Sequence, residues 1–228
     1  MPGQFNFTYN VDIVMCIDAT ASMGPIIDKV KETALSLPSK FLAKMEDMGK
    51  HCDAVRFKVI SFRDYKYDAE PMVESPFYDI SEATDFQNFI NNIVPDGGGD
   101  LPENALEALA YAFKSDWVTT GSKRRHVVVM FTDAAALPLG ERKDIPGYPT
   151  DLPEDLMGLV SWYEGTADQS LGLKLEQKAK RLVLYTPHAE PWEDLTSLPG
   201  VIINTVSEGE GGDEINMDSV LELLVNSM

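Results

Sequence analysis

The chain has 228 residues, 44% of them hydrophobic and 25% charged, the balance of one globular α/β-sized unit with enough length to bury a full core. Nineteen Lys and Arg stand against 37 Asp and Glu, a formal charge of −18, and the excess is spread along the chain: 10 basic and 18 acidic residues lie in 1–114, 9 and 19 in 115–228. No phosphate-neutralising basic face is available, which argues against a general nucleic-acid or anionic-membrane binder and favours divalent cations and basic or metal-bridged partners.

Short β-rich runs, each followed by a helical pattern, predict an open, mostly parallel sheet covered on both faces. The first is Val11 to Ile17, apolar apart from Asp12 and therefore a central strand. Pro25 opens a helix whose apolar residues Ile27, Val30, Ala34, Leu37, Phe41 and Met45 fall three or four apart, with a kink expected at Pro38. Val55 to Phe62 reads as a second strand and Pro71 to Glu74 as a short antiparallel edge. Helices are predicted over Phe86 to Val94 and Glu103 to Phe113, then a strong strand at His126 to Thr132. Four prolines and two glycines between Leu137 and Pro153 make a long irregular connection, with Arg142, Lys143, Ile145 and Tyr148 placed to rim whatever lies at that edge. Helical patterns return at Glu154 to Tyr163 and Leu171 to Lys180. A strand at Arg181 to Tyr185, a short helix near Trp192, a strand at Val201 to Thr205 and a terminal helix at Met217 to Asn226 complete a single domain over 1–228.

Cys16 and Cys52 form no metal-type pair, no apolar run reaches the ~20 residues that cross a bilayer, and no basic leader precedes the first strand. Free thiols in a reducing compartment, hence a cytoplasmic location, are the expectation.

In an open parallel sheet, ligands bind beyond the carboxyl ends of the strands. Oxygen ligands stand at three such places. The first strand runs into Asp18-Ala19-Thr20-Ala21-Ser22, a carboxylate and two hydroxyls at alternate positions. Gly97-Gly98-Gly99-Asp100-Leu101-Pro102-Glu103 brings a carboxylate to the start of a helix, and the third strong strand ends in Thr132-Asp133. Carboxylates and hydroxyls without His or thiolate are hard ligands that match Mg²⁺, Mn²⁺ or Ca²⁺ rather than zinc. Any one of these acids alone also reads as a helix cap; three in order on alternating α/β elements are more specific.

These residues resemble the von Willebrand factor type A domain, whose metal-ion-dependent adhesion site has the pattern DxSxS, a Thr in a Gly-containing loop and an Asp after a later strand. Asp18, Thr20 and Ser22 match the first motif, with Thr in place of the first Ser, and Asp133 matches the third. Asp100 stands where the family generally has Thr. That departure, GGGDxPE, with Phe62-Arg63-Asp64 after the second strand, is similar to the A domains of hemicentins and of some alpha-kinase proteins. The resemblance implies a Rossmann-like, doubly wound, six-stranded sheet and a divalent cation, Mg²⁺ foremost, held by Asp18, Thr20, Ser22, Asp100 and Asp133. It also implies a non-catalytic protein-interaction role, with a partner's acidic side chain completing the coordination. A third carboxylate would leave the site at −1 and make it a poorer acceptor for that side chain, so Asp100→Thr is expected to strengthen binding of an acidic partner. Asp64 and Glu103 have plainer readings, as a turn residue paired with Arg63 or Lys66 and as a helix-start acid.

The alternative is a metal-dependent phosphatase or phosphotransfer enzyme with Asp18 as nucleophile. Such enzymes need a second acid two residues later to protonate the leaving group, and this chain has Thr20 there; Gly97 to Gly99 lacks a P-loop ending. His126, His188 and His51 beside Cys52 read as structural or surface residues. The sequence leaves the partner's identity and the oligomeric state open.

Overall fold

The computed structural model describes residues 9–25, 27–50, 52–99, 101–208 and 222. Asp100, His51 and the expected terminal helix at 217–226 lie outside the described residues. A seven-stranded sheet runs in the order β3-β2-β1-β5-β6-β7, with β4 also paired to β2. β1 (Tyr9–Asp18), β2 (Cys52–Phe62), β5 (Lys123–Phe131), β6 (Lys180–Thr186) and β7 (Val201–Thr205) are mutually parallel. β3 (Met72–Glu74) and β4 (Tyr78–Asp79) are antiparallel to β2. The six expected strands are all present, the short antiparallel edge included. β4 is the addition, two residues too short to leave a periodic signal.

Period-two alternation gives the sheet two buried faces. Val11, Ile13, Met15 and Ile17 of β1 pack with α1 (Ile27–Asp47) and α2 (Ala83–Asn91) in one core. Val14 and Cys16 pack with α3 (Ala105–Phe113), α4 (Leu156–Glu164) and α5 (Trp192–Leu195) in the other. Pro38 lies inside α1 without ending it; the buried stripe Val30, Ala34, Leu37, Phe41 and Met45 continues across it and outweighs the one lost backbone hydrogen bond.

The helix expected over Leu171 to Lys180 is not formed. A 3-10 turn at Gln169–Leu171 stops at Gly172, whose φ is +63°, and Lys180 already belongs to β6. Tertiary partners take the intervening residues instead: the Glu176 N–H donates to His126 Nδ1 at 3.2 Å, and Lys174 pairs with Asp116. No helix among the described residues is long and apolar enough to cross a membrane.

Chain direction positions the functional edge. From β1 the chain moves outward to β2, β3 and β4, then returns to place β5 on the other side of β1. The connections leaving β1 and β5 therefore diverge, and a crevice opens at the carboxyl ends of these two neighbours.

Candidate functional site

Asp18 ends β1 and Thr132-Asp133 follows β5, so the strand order brings these acids to one crevice. The loop after Asp18 is fixed by its backbone: the Ala19 N–H donates to Phe62 O at 2.9 Å, the Asp96 N–H donates to Ala19 O at 3.0 Å, and Ala21 N–H donates to Gly97 O at 3.3 Å. Arg63 reinforces it from β2's end, Nε donating to Ala19 O at 3.0 Å and Nη2 to Val94 O at 2.6 Å. A 3-10 turn at Ala21–Met23 follows, anchored by buried Met23. Thr20 stands at its N-cap but makes no side-chain cap bond, because its hydroxyl is turned to Asp18.

Five hydroxyl and carboxylate groups form one connected set. Asp18 Oδ1 accepts from the Thr20 N–H at 2.9 Å and from Thr20 Oγ1 at 2.6 Å, while Oδ2 accepts from Thr132 Oγ1 at 2.6 Å. Ser22 Oγ donates to Asp133 Oδ1 at 3.0 Å, and the two hydroxyl oxygens of Thr20 and Ser22 lie 3.2 Å apart. Each hydroxyl has one proton. With both protons given to the carboxylates, Thr20 Oγ1 and Ser22 Oγ keep lone pairs that can accept a hydrogen bond or ligate a cation.

Asp18 and Asp133 are both fully buried. Burial pushes the Asp18 carboxyl up to about 6; the Thr132 and Thr20 hydrogen bonds pull it back, and the Asp133 charge adds to the rise. An opposite charge at this position would reverse that pressure. The donor set, two carboxylates and two hydroxyls, is all hard oxygen and fits Mg²⁺, Mn²⁺ or Ca²⁺ in kind. Among the described residues no group of three or more His, Cys, Asp and Glu gathers as a metal cluster, so the set rests on those two acids and the hydroxyls.

A cavity of about 200 Å³ opens over Thr20 and Ser22, walled by Gly97 to Gly99, Leu101 and Glu103. Gly98 has φ +89°, and a Cβ on it would lie 2.8 Å from Thr20 Cβ and 3.0 Å from Glu103 Oε1. Only glycine lets this loop close over the hydroxyls. Glu103, read from sequence as a helix-start acid, is instead a buried wall of the cavity. It sits before the N-cap Asn104 of α3 and bridges in parallel to Ala136, its N–H donating to Ala135 O at 3.1 Å.

Asp64 lies at the same edge, fully buried, but its partner is not Arg63. It accepts from the Lys66 N–H within its own turn and pairs with Arg142 at 3.3 Å. The long connection therefore turns two of its four expected rim residues inward: Arg142 reaches Asp64, and Tyr148 OH donates to Glu107 Oε1 at 2.7 Å while accepting from the Gly140 N–H at 3.1 Å. Lys143 stays exposed and Ile145 half-buried. His126, fully buried, bonds through Nε2 to Val118 O at 2.9 Å and stacks on Trp117, far from the crevice. His188 is exposed and pairs with Glu193. Cys16 and Cys52 are free thiols.

No curated protein matches this chain at a significant level. Among solved structures, the pilus adhesin SpaC from Lactobacillus rhamnosus GG superposes with a TM-score of 0.58 at 10% identity over 95% of this chain and 30% of its own. Its open conformation gives 0.54 at 11%, over 96% and 29%. Proximal thread matrix protein 1 from the mussel byssus gives 0.51 at 12%, over 96% of this chain and 49% of its own. The chain thus spans less than half the length of each of these proteins, and at such identities the likeness is one of fold. The family model described as von Willebrand factor A domain matches residues 12–144, more than half of the chain and the whole stretch from β1 through the Asp133 loop. This chain belongs to the von Willebrand factor A domain family.

Proposed function

We propose that this domain binds a protein partner through a divalent cation held at the crevice between β1 and β5 by Asp18, Thr20, Ser22 and Asp133, with Mg²⁺ the foremost candidate. The observation that carries the reading is the gathering of the Thr20 and Ser22 hydroxyl oxygens, 3.2 Å apart, between two buried carboxylates. When bound, the cation would supply a positive centre to which a partner's acidic side chain could be drawn. The chain's own residues fix the donors, keep water from the buried faces of both acids and leave the Gly97 to Gly99 side open.

A non-catalytic role is part of the proposal. Both oxygens of Asp18 are committed to Thr20 and Thr132, which suits a fixed ligand better than a nucleophile, and Thr20 stands where a phosphatase of this type would need an acid. Free Cys16 and Cys52 support a reducing compartment.

Calorimetric titration of EDTA-stripped protein with Mg²⁺, Mn²⁺ and Ca²⁺ tests the site. One ion per chain is expected, with binding lost in Asp18→Ala and weakened in Ser22→Ala, whose side chain is only partly buried and whose melting temperature should stay near wild type. An ion at 100 times its dissociation constant adds about 2.7 kcal/mol of stability to wild type alone. Absence of saturable binding for all three ions overturns the proposal.

A further inference from the structure

A second cavity, about 490 Å³, lies on the same edge of the sheet between α3, α4 and α5. Its floor is apolar, built from Leu106, Ala136, Leu139 and Leu156. Leu106 is in the first turn of α3 and Leu156 begins α4. Ala136 is held by the Glu103 bridge and by the Leu137 N–H donating to Glu103 O at 2.8 Å. Behind it, fully buried Trp192 donates from Nε1 to Ala134 O at 3.0 Å. The walls are therefore set before anything binds, which lowers the ordering cost of association.

The rim is of one sign. Asp155, Glu190 and Asp194 are exposed at the cavity mouth, and no Lys, Arg or His lines it. Neither Glu190 nor Asp194 has an ion-pair partner among the described residues, while Asp155 caps α4 by accepting from the Gly158 N–H at 2.7 Å. Two large apolar side chains stand exposed beside the cavity: Met157 at 81%, one residue after Leu156, and Leu101 at 50%, next to the wall residue Pro102. Leu101 also lines the cavity over Thr20 and Ser22, so the two hollows share the Leu101-Pro102 wall. An apolar floor under an unpaired acidic rim complements an apolar side chain flanked by cations.

We infer that this groove is a second contact surface, which takes a basic segment of a partner protein by seating an apolar side chain on Leu156, Pro102 and Pro138, over buried Leu106 and Leu139, between Lys or Arg residues paired with Glu190 and Asp194. The contact goes beyond the cation site and does not depend on it.

The test uses fluorescein-labelled peptides on the full chain in EDTA, read by polarisation and by amide chemical-shift mapping. One peptide carries a Leu-Leu pair flanked on each side by Lys and Arg; a second has the pair replaced by Ser-Ser, and a third has Glu for every Lys and Arg. Saturable binding of the first is expected, with shifts centred on Leu106, Ala136 and Leu156. The second should bind at least about fivefold more weakly and the third not at all. Glu190→Lys with Asp194→Lys should weaken the first peptide by at least about tenfold. Glu46→Lys with Asp47→Lys, the same charge change at the exposed end of α1, should leave it within about twofold. Equal binding of the Leu-Leu and Ser-Ser peptides, equal losses in the two double variants, shifts away from the groove, or no binding at millimolar peptide each overturn the inference.

Discussion

Gly98 and Gly147 have nearly the same φ, +89° and +92°, but different surroundings: a Cβ at 98 meets Thr20 and Glu103, and one at 147 meets nothing within 4 Å. Alanine at 147 should therefore show the left-handed strain alone, about 1–2 kcal/mol. At 98 the contact with Thr20 adds overpacking of a further ~1–3 kcal/mol and displaces a hydroxyl of the proposed cation site. Urea unfolding of both variants with and without Mg²⁺ separates the two effects: Gly147→Ala should keep the cation-induced stabilisation that Gly98→Ala loses. Asp18, Thr20, Ser22 and Asp133, the proposed ligands, could be singled out from spacing because each sits within four residues of a strand's carboxyl end. Glu103 and the Asp64–Arg142 pair could not, since 78 residues separate Asp64 from Arg142 and only the path of the long connection joins them. Asp100 lies outside the described residues, so its part in the site stays a reading of the motif.

At the scale of elements, Tyr148 ties the connection after β5 to α3, beside the Arg142–Asp64 pair. Tyr148 OH serves both Glu107 and the Gly140 N–H, and its ring lies 5.0 Å from that of Tyr65. Tyr148→Phe leaves buried Glu107 short of a donor, a loss of about 1–3 kcal/mol by urea midpoint. It should also speed tryptic cleavage at the exposed Lys143. His126 joins three elements in the neutral form, since Nδ1 accepts from the Glu176 N–H and Nε2 is left to donate to Val118 O. Burial lowers its pKa from the ordinary 6.5. The unfolded chain takes up a proton near 6.5 that the native ring resists, so this residue's contribution is intact above 6.5 and is lost as pH falls below it. NMR titration should find the His126 ring neutral well below 6.5, and the difference in urea stability between wild type and His126→Gln should shrink with falling pH. A ring that titrates at 6.5 refutes this. The carboxylate of Asp12, the one polar residue between Val11 and Ile17, is shared by Arg56 at 2.8 and 2.6 Å and the Val118 N–H at 2.7 Å, which accounts for its place in the central strand.

For the molecule as a whole, a charge of −18 sets a background of self-repulsion that any salt screens. Melting temperature in EDTA should rise from 20 to 300 mM NaCl in wild type and Asp18→Ala alike. At matched ionic strength, MgCl₂ should give a further rise in wild type only; the same rise in both would assign the Mg²⁺ effect to screening. The sequence by itself determined the parallel α/β architecture, because near-continuous apolar strands alternating with helices of period near 3.6 mark a sheet covered on both faces. It also determined that carboxylates and hydroxyls stand at strand ends, because those residues are local to elements whose direction is known. Only the tertiary structure decided that β1 and β5 are neighbours with diverging connections, that residues 172–179 give up helix for contacts with His126 and Asp116, and that Arg142 and Tyr148 face inward. Each of these depends on groups distant in the chain competing for the same backbone or charge, and no local pattern carries the outcome of such a competition.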